Sequence, residues 1–129
     1  PYLPEATLLE VIAEPRHPDT ISPDAVRKAL LDVGLDHLAP QLATTALWGR
    51  ELGIEDQQRL GFARLLVHQP HWILTRDASS ALSQEAETAL FRTIREALPH
   101  AVLITMTHRA MAAWMFNRRI ALSTPAPVP

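Results

Sequence analysis

Three short runs, met in a fixed order, most constrain what this chain of 129 residues can form. The first, residues 52–59 (LGIEDQQR), places two acids at the start of an amphipathic segment, which is typical of a helix N-terminus. The second and third, residues 72–82 (WILTRDASSAL) and 103–109 (LITMTHR), each begin apolar and end polar, like a buried strand followed by a loop. An amphipathic helix pattern over residues 84–98 separates these two strands. Strands that alternate with helices predict an α/β fold with parallel strands and crossover helices.

The part of the chain before these strands predicts a helical block. Residues 7–13 have the apolar spacing of a short helix, which Pro15 would end. Ser22 and Pro23 form a strong helix start, and Gly34 ends that helix after about Val33. Residues 43–53 show no regular pattern. A helix with Glu55 and Asp56 at its N-terminus should follow and end at Pro70, with Leu60, Phe62, Ala63, Leu66 and Val67 on its apolar face.

The end of the chain predicts one more strand and then a loose tail. For the helix over 84–98 we expect an inner face of Ala86, Ala89, Leu90, Ile94 and Leu98. Residues 120–122 are short and apolar enough for a third parallel strand. Residues 123–129 contain three prolines, which exclude a helix or a central strand, so we expect this tail to be disordered.

Composition excludes several classes of protein. Apolar residues make up 47% and charged residues 20% of the chain, as in ordinary globular domains. The formal net charge of −2 gives no electrostatic case for nucleic acid. There is no cysteine for disulfide or thiolate chemistry and no apolar run long enough for a membrane helix. The chain begins with Pro1 rather than Met, so we expect it to be a piece of a longer protein.

The order and spacing of the three runs resemble the C-terminal half of the nucleotide-binding domain of an ATP-binding cassette (ABC) transporter. The likeness is to the subgroup fused to fatty-acid or peptide-type membrane domains. It implies a partial P-loop NTPase-type fold, with an ABC helical (signature) subdomain at 1–70 and the C-terminal part of the ATPase core at 71–122, in about three parallel strands. The phosphate-binding Gly-rich loop of the first half is not in this sequence.

The resemblance also implies a set of site residues. Residues 52–59 lie where the family has Leu-Ser-Gly-Gly-Glu-Gln-Gln-Arg; Leu52, Gln57, Gln58 and Arg59 match, and the four residues between depart. The implied nucleotide-binding residues are Leu52, Gly53, Glu55, Gln57 and Ser80. The implied catalytic residues are Asp77, in the position of the family's water-activating Glu, and His108, in the position of its switch histidine. No residue is implied as a metal ligand.

Three departures from the family pattern bear on chemistry. Glu55 places a carboxylate where the family has a glycine amide near phosphate, and two unit charges 4 Å apart repel by about 4 kcal/mol at an effective dielectric near 20. Arg76 stands where the family has the Asp that holds Mg²⁺, and a guanidinium cannot ligate a cation. Asp77 is one methylene shorter than the family's Glu. We expect Arg76 to pair with Asp77, another carboxylate or an anion.

The resemblance implies the following setting. The parent family uses ATP and Mg²⁺ at the cytoplasmic face of a membrane, and we expect this chain by itself to bind neither and to be catalytically inactive. Its partners would be the transmembrane domain of a transporter and a second nucleotide-binding domain. Because Ile73 and Leu74 belong to a strand meant for burial on both faces, we also expect a homo-oligomer.

Other interpretations stay open. The chain could be a degenerate pseudo-ATPase or a stand-alone protein-interaction module. A small serine hydrolase could be drawn from Ser80, His108 and Asp77, and a metallo-hydrolase from His68 and His71, although neither has the expected motif. Taken singly, His108 could be a hydrogen-bonded loop histidine, and Arg76 with Asp77 an ordinary surface ion pair.

Overall fold

The computed structural model describes residues 3–111 and 113–123. In chain order, its elements are β1 (Glu5–Thr7), α1 (Leu8–Ala13), α2 (Pro23–Asp32), β2 (Thr45–Leu47), α3 (Trp48–Glu51), α4 (Ile54–His68), β3 (Trp72–Arg76), α5 (Gln84–Ala97) and β4 (Val102–Met106). Short 3-10 turns lie at Pro18–Thr20, Asp36–Gln41 and Ala113–Met115. Among the described residues, no helix has the length and apolar character needed to cross a membrane.

The first two helices lie where the sequence predicts them, and each has a hydroxyl N-cap. At α1, the Thr7 hydroxyl accepts from the Glu10 N–H, and the Thr7 N–H donates to the Glu10 carboxylate over 2.7 Å. That backbone hydrogen bond is the main cause that lowers the pKa of Glu10. At α2, Ser22 is the N-cap and Pro23 the first residue, and Gly34 follows the helix with a φ of 82°. Both predicted helices are confirmed.

The helical block packs around α4. Leu8, Leu30 and Leu60, from α1, α2 and α4, are fully buried in one core. Arg59 reaches from α4 to donate to the Val33 carbonyl over 2.9 Å, which satisfies an oxygen at the end of α2. The Arg59 guanidinium lies so close to Gly34 that an added Cβ would come within 3.2 Å of it. The end of α2 is therefore fixed against α4 by a side chain as well as by apolar packing.

Residues 43–53 are more regular than their sequence indicates. β2 pairs antiparallel with β1, and the one-turn helix α3 follows directly. Trp48 is 2% exposed, and its Nε1–H donates to the Ala6 carbonyl over 3.0 Å. These contacts join residues about forty positions apart, so no local pattern in the sequence could have shown them.

β3 and β4 form the predicted parallel pair. Their register places Ile73 beside Leu103 and Arg76 beside Met106, with α5 as the crossover. The third strand was a wrong prediction, because residues 120–122 form no strand and Ile120 and Leu122 are exposed. With no neighbouring strand among the described residues, such a segment gains no ladder hydrogen bonds. The predicted disordered tail, 123–129, lies outside the described residues apart from Ser123.

The two faces of this sheet differ sharply. Ile73 is buried, whereas on the other face the apolar side chains are solvent-exposed: Trp72 and Leu74 of β3, and Val102, Ile104 and Met106 of β4. The buried side of α5 shares the hydrophobic core with Ile73. Its buried residues are Glu87, Leu90, Phe91 and Ile94, with Leu98 following the helix, so Ala89 is exposed, contrary to expectation. The buried side chains recur at three- and four-residue spacing, and Ala89 falls between those rows.

Candidate functional site

The first part of the candidate site is the N-terminus of α4. Gly53 is the N-cap residue of this helix, and the Gln57 N–H donates to the Gly53 carbonyl over 3.0 Å. The Gln57 side chain turns back, and its Nε2 donates to the carbonyls of Leu52 and Gly49 over 2.9 and 3.1 Å. Gln57 therefore holds the turn between α3 and α4 in one conformation. Leu52 also holds this turn in place, because it is only 8% exposed and packs into the hydrophobic core.

The backbone of this turn is accessible to solvent at Gly53. No atom beyond the neighbouring residues lies within 4 Å of a Cβ built on Gly53, so its backbone can be approached closely. Glu55 is exposed in the first turn, with Asp56 beside it. A helix N-terminus attracts anions, and these two carboxylates already complement it. A phosphate would therefore meet both the attraction of the helix end and the repulsion of Glu55.

Gln58 joins α4 to the loop that follows β3. Its Nε2 donates to the Ser80 hydroxyl over 3.0 Å, and its Oε1 accepts from the Ala81 N–H over 2.9 Å. The Gln58 amide therefore uses both its donor and its acceptor on the same loop. These two hydrogen bonds fix the orientation of the side chain and the position of the loop relative to α4. Gln58 was matched to the family pattern but not predicted as a site residue. The sequence did contain a signal for this contact. Gln57 and Gln58 are consecutive, so their side chains face different sides of α4 and contact different partners.

The second part of the site lies at the carboxyl ends of the parallel strands. Asp77 follows β3 with a φ of 48°, a left-handed conformation held by a hydrogen bond from its N–H to the Met106 carbonyl over 2.9 Å. His108 Nε2 lies 4.0 Å from the Asp77 carboxylate, and the His108 side chain is 96% exposed. The predicted catalytic pair is therefore brought together at the surface. At that distance and exposure, an ion pair would contribute little to stability.

A buried polar network underlies these strand ends, and the sequence did not predict it. Glu87 of α5 is 2% exposed and accepts from the Ser79 hydroxyl and from Arg109 Nη1, the latter over 3.2 Å. Arg109 also donates to the carbonyls of Ser79 and Leu82 over 3.1 and 2.7 Å. One guanidinium thus ties the loop after β3, helix α5 and the segment after β4 together. The signal in the sequence was an acid, Glu87, at a position of α5 spaced with the buried apolar residues.

The donor atoms at the strand ends do not suit Mg²⁺. That ion requires oxygen ligands in a near-octahedral arrangement. Arg76 offers no lone pair, and within residues 3–111 and 113–123 no group of three His, Asp or Glu side chains could hold a metal. The expected pairing of Arg76 is also absent there: its side chain is exposed, and no carboxylate of the described part lies within ion-pair distance. Asp77 remains as a single carboxylate.

The two hydrolase interpretations receive no support from the geometry. The Ser80 hydroxyl is bonded to Gln58, and no hydrogen bond joins it to His108 among the described residues. His68 Nε2 lies 3.0 Å from the Ile12 carbonyl inside the helical block, and His71 follows Pro70 on the exposed approach to β3. The arrangement is instead that of two surface elements, the α4 N-terminus and the strand ends, held at a fixed separation by Gln58.

Comparison with known proteins gives a consistent set of relatives. An uncharacterized ABC transporter ATP-binding protein of Haemophilus influenzae is 31% identical over 122 residues, which are 95% of this chain and 21% of that protein. The inner membrane ABC transporter ATP-binding protein YddA of Escherichia coli is 30% identical over 84% of the chain. ABC transporter D family member 2 of Arabidopsis thaliana, a chloroplastic protein, is 33% identical over 81% of the chain. No protein-family model matches.

The chain spans only about a fifth of the length of these relatives: 21%, 19% and 15%. The matches nevertheless run through both parts of the candidate site, because the first of them covers 95% of the chain. The parallel β3–α5–β4 unit, preceded by a helical block, fits a partial P-loop NTPase-type α/β fold. The chain belongs to the family of ABC transporter ATP-binding proteins and corresponds to a part of their nucleotide-binding domain.

Proposed function

We propose that this chain couples the nucleotide state of an ABC transporter to its membrane domain, in a parent protein that binds and hydrolyses ATP during transport. The observation that carries the proposal is the Gln58 amide, which joins the α4 N-terminus to the loop at Ser80 and Ala81. A displacement of either element is transmitted to the other, because both hydrogen bonds of the amide would otherwise break. The helical block behind α4 would contact the transmembrane domain.

The residues of the site have distinct proposed roles. The open backbone at Gly53 would approach the phosphates of ATP, and Glu55 would limit how closely they approach. Leu52 and Gln57 would shape this turn from below, and Ser80 would hold its loop against α4. Asp77 would orient the attacking water and His108 would contact the transferred phosphate, as the switch histidine of the family does. ATP and Mg²⁺ belong to the family's reaction, and we propose that this chain alone binds neither.

A degenerate pseudo-ATPase is the second candidate, and Arg76 favours it. A guanidinium in place of the metal-holding carboxylate, with Asp77 shorter than the family's Glu, removes much of the positioning on which phosphoryl transfer depends. The fold and the Gln58 contact would then serve nucleotide sensing without turnover. Both candidates predict binding of nucleotide by a complete domain, and they differ in the rate of hydrolysis.

A chimera tests the proposed function. The matching segment of the Haemophilus influenzae relative would be replaced by this chain, and ATP binding and hydrolysis would be measured against the unaltered relative. We expect the chimera to bind ATP and to hydrolyse it at least about tenfold more slowly, because Arg76 and Asp77 misplace the reacting groups. A folded chimera that binds no ATP would refute the proposal and favour an interaction module. Hydrolysis at the relative's own rate would refute the pseudo-ATPase.

We also propose that the chain, when isolated, associates with a second copy through the exposed face of the β3–β4 sheet. That face presents Trp72, Leu74 and Ile104, and each strand has one pairing partner within the described part of the chain. An apolar sheet face with an open edge is a common site of self-pairing. Light scattering across a roughly tenfold dilution should show that the average molecular mass decreases as the protein is diluted. The matched variant Leu74→Lys should be monomeric throughout; a monomeric wild type at every concentration would contradict this proposal.

A further inference from the structure

The hydrogen bonds between β3 and β4 use every second residue of β3. At one end of the pairing, the Val102 N–H donates to the His71 carbonyl over 2.8 Å. At the other end, the Asp77 N–H donates to the Met106 carbonyl over 2.9 Å. Successive residues of a strand direct their backbone N–H and C=O groups to opposite edges. The odd-numbered residues of β3 therefore bond to β4.

The even-numbered residues of β3 face an open edge. Trp72, Leu74 and Arg76 direct their N–H and C=O groups away from β4, and β3 has no second pairing partner among the described residues. Their side chains share the exposed face of the sheet, where Trp72 is 64% and Leu74 is 68% exposed. A strand that pairs with this edge would bond to these backbone groups and contact the three side chains at the same time.

The open edge of β3 is complementary to itself. If two copies pair antiparallel about a two-fold axis at Leu74, each Leu74 lies opposite the other, and Arg76 of each copy lies opposite Trp72 of the other. In this register every open N–H and C=O group of the three residues has a partner. Side chains directly opposite each other have Cβ atoms about 5 Å apart, which brings a guanidinium within reach of an indole ring. The register therefore forms the same cation–π contact twice.

The outer edge of β4 fits a second copy less well. Its open backbone groups belong to Leu103 and Thr105, because the other residues of the strand bond to β3. Pairing about Ile104 would thus form fewer hydrogen bonds than pairing about Leu74. It would also place no cation opposite an aromatic ring, since β4 contains neither. Of the two edges, that of β3 is the better match for a second copy.

We propose that a second copy of this chain binds along the open edge of β3, antiparallel and centred on Leu74, with Arg76 of each copy stacked on Trp72 of the other. The inference rests on the proposed self-association for the presence of a second copy, and on the register of β3 and β4 for where that copy binds. It assigns a role to Arg76, which is exposed and has no carboxylate of the described part within ion-pair distance. A charge on an edge strand ordinarily hinders pairing, so the two roles predict opposite effects when Arg76 is removed.

Cysteine crosslinking tests the position of the contact. The sequence has no cysteine, so a single introduced thiol reports on one position. In Leu74→Cys the two Cα atoms would be about 5.5 Å apart, which suits a disulfide, and mild oxidation should give a covalent dimer. Ile104→Cys is the matched control, because Ile104 lies beside Leu74 on the same exposed face. Its two copies would be three strand spacings apart, about 14 Å, so it should form no covalent dimer.

Light scattering of Arg76→Ala tests the role of the guanidinium. The dissociation constant of the dimer should rise about tenfold, because two cation–π contacts are lost. Arg92→Ala removes the same charge as a control: Arg92 is exposed on α5 and lies over the Trp114 ring of its own chain at 5.0 Å. It should leave the dissociation constant unchanged. Tighter association of Arg76→Ala would show that Arg76 hinders pairing and would overturn the inference.

Two further outcomes separate this inference from the proposal on which it rests. A wild type that is monomeric at every concentration would overturn both. A wild type that associates, with a covalent dimer in Ile104→Cys but none in Leu74→Cys, would leave the self-association standing and overturn the β3 edge as its site.

Discussion

Phe91→Ala should lower the free energy of unfolding by about 3–5 kcal/mol, the cost of deleting a buried aromatic ring. Phe91 is 1% exposed at the inner face of α5. Its ring packs edge-on against Phe62 of α4 at 5.3 Å between centroids and against Phe116 at 6.1 Å. The deletion would therefore loosen the contact of α5 with the helical block and with the segment after β4 at once. Urea unfolding monitored by tryptophan fluorescence would measure it.

Phe91→Leu is the control for this change. Leucine keeps most of the buried volume and loses the aromatic edge contacts, so we expect a loss under about 1.5 kcal/mol. If Phe91→Ala and Phe91→Leu were equally destabilising, packing at this position would not depend on the volume of the ring. The contact between α4 and α5 would then have to be maintained by other side chains.

Glu87→Ala should cost about 2–4 kcal/mol of unfolding free energy, because it leaves two partners of a buried carboxylate without an acceptor. The Ser79 hydroxyl is buried, and Arg109 loses the only carboxylate within reach in the described structure. We place the cost below the full range for a buried ion pair because the Arg109 side chain is 37% exposed and water can reach it. Chemical denaturation with circular dichroism is the direct measurement.

Glu87→Gln distinguishes the charge from the hydrogen bonds. Glutamine keeps an oxygen acceptor of the same shape, and we expect it to lose about 1 kcal/mol, less than the alanine variant. Amide hydrogen exchange should show faster opening of the loop around Ser79 in Glu87→Ala than in Glu87→Gln. Equal stability of Glu87→Ala and the wild type would mean that the network at Arg109 does not hold the strand ends together.

Features encoded locally were predicted from the sequence. Ser22 caps α2 as its hydroxyl and the following proline indicated, and Gly34 adopts the left-handed conformation that its place after α2 requires. The alternation of β3, α5 and β4 was equally visible, because each element is long enough to show its own period. Short elements were missed. β2 has three residues and exists through its pairing with β1, which a local pattern cannot show.

In the candidate site, too, some features could be predicted from the sequence, whereas those that depend on long-range contacts could not. Asp77 and His108 could be named from the family resemblance, and the structure places them 4.0 Å apart. Gln58 and Glu87 could not be assigned their contacts, because the partners Ser80 and Arg109 lie 22 residues along the chain in each case. Long-range side-chain hydrogen bonds depend on how α4 and α5 pack.

The central proposal is that this chain retains part of the scaffold of a nucleotide-binding domain and has no ATP site of its own. Isothermal titration of the chain with Mg-ATP tests it most directly. We expect no saturable heat up to about 1 mM, because the chain has no phosphate-binding Gly-rich loop, Glu55 repels phosphate and Arg76 repels the metal. Micromolar binding that requires magnesium would contradict the account.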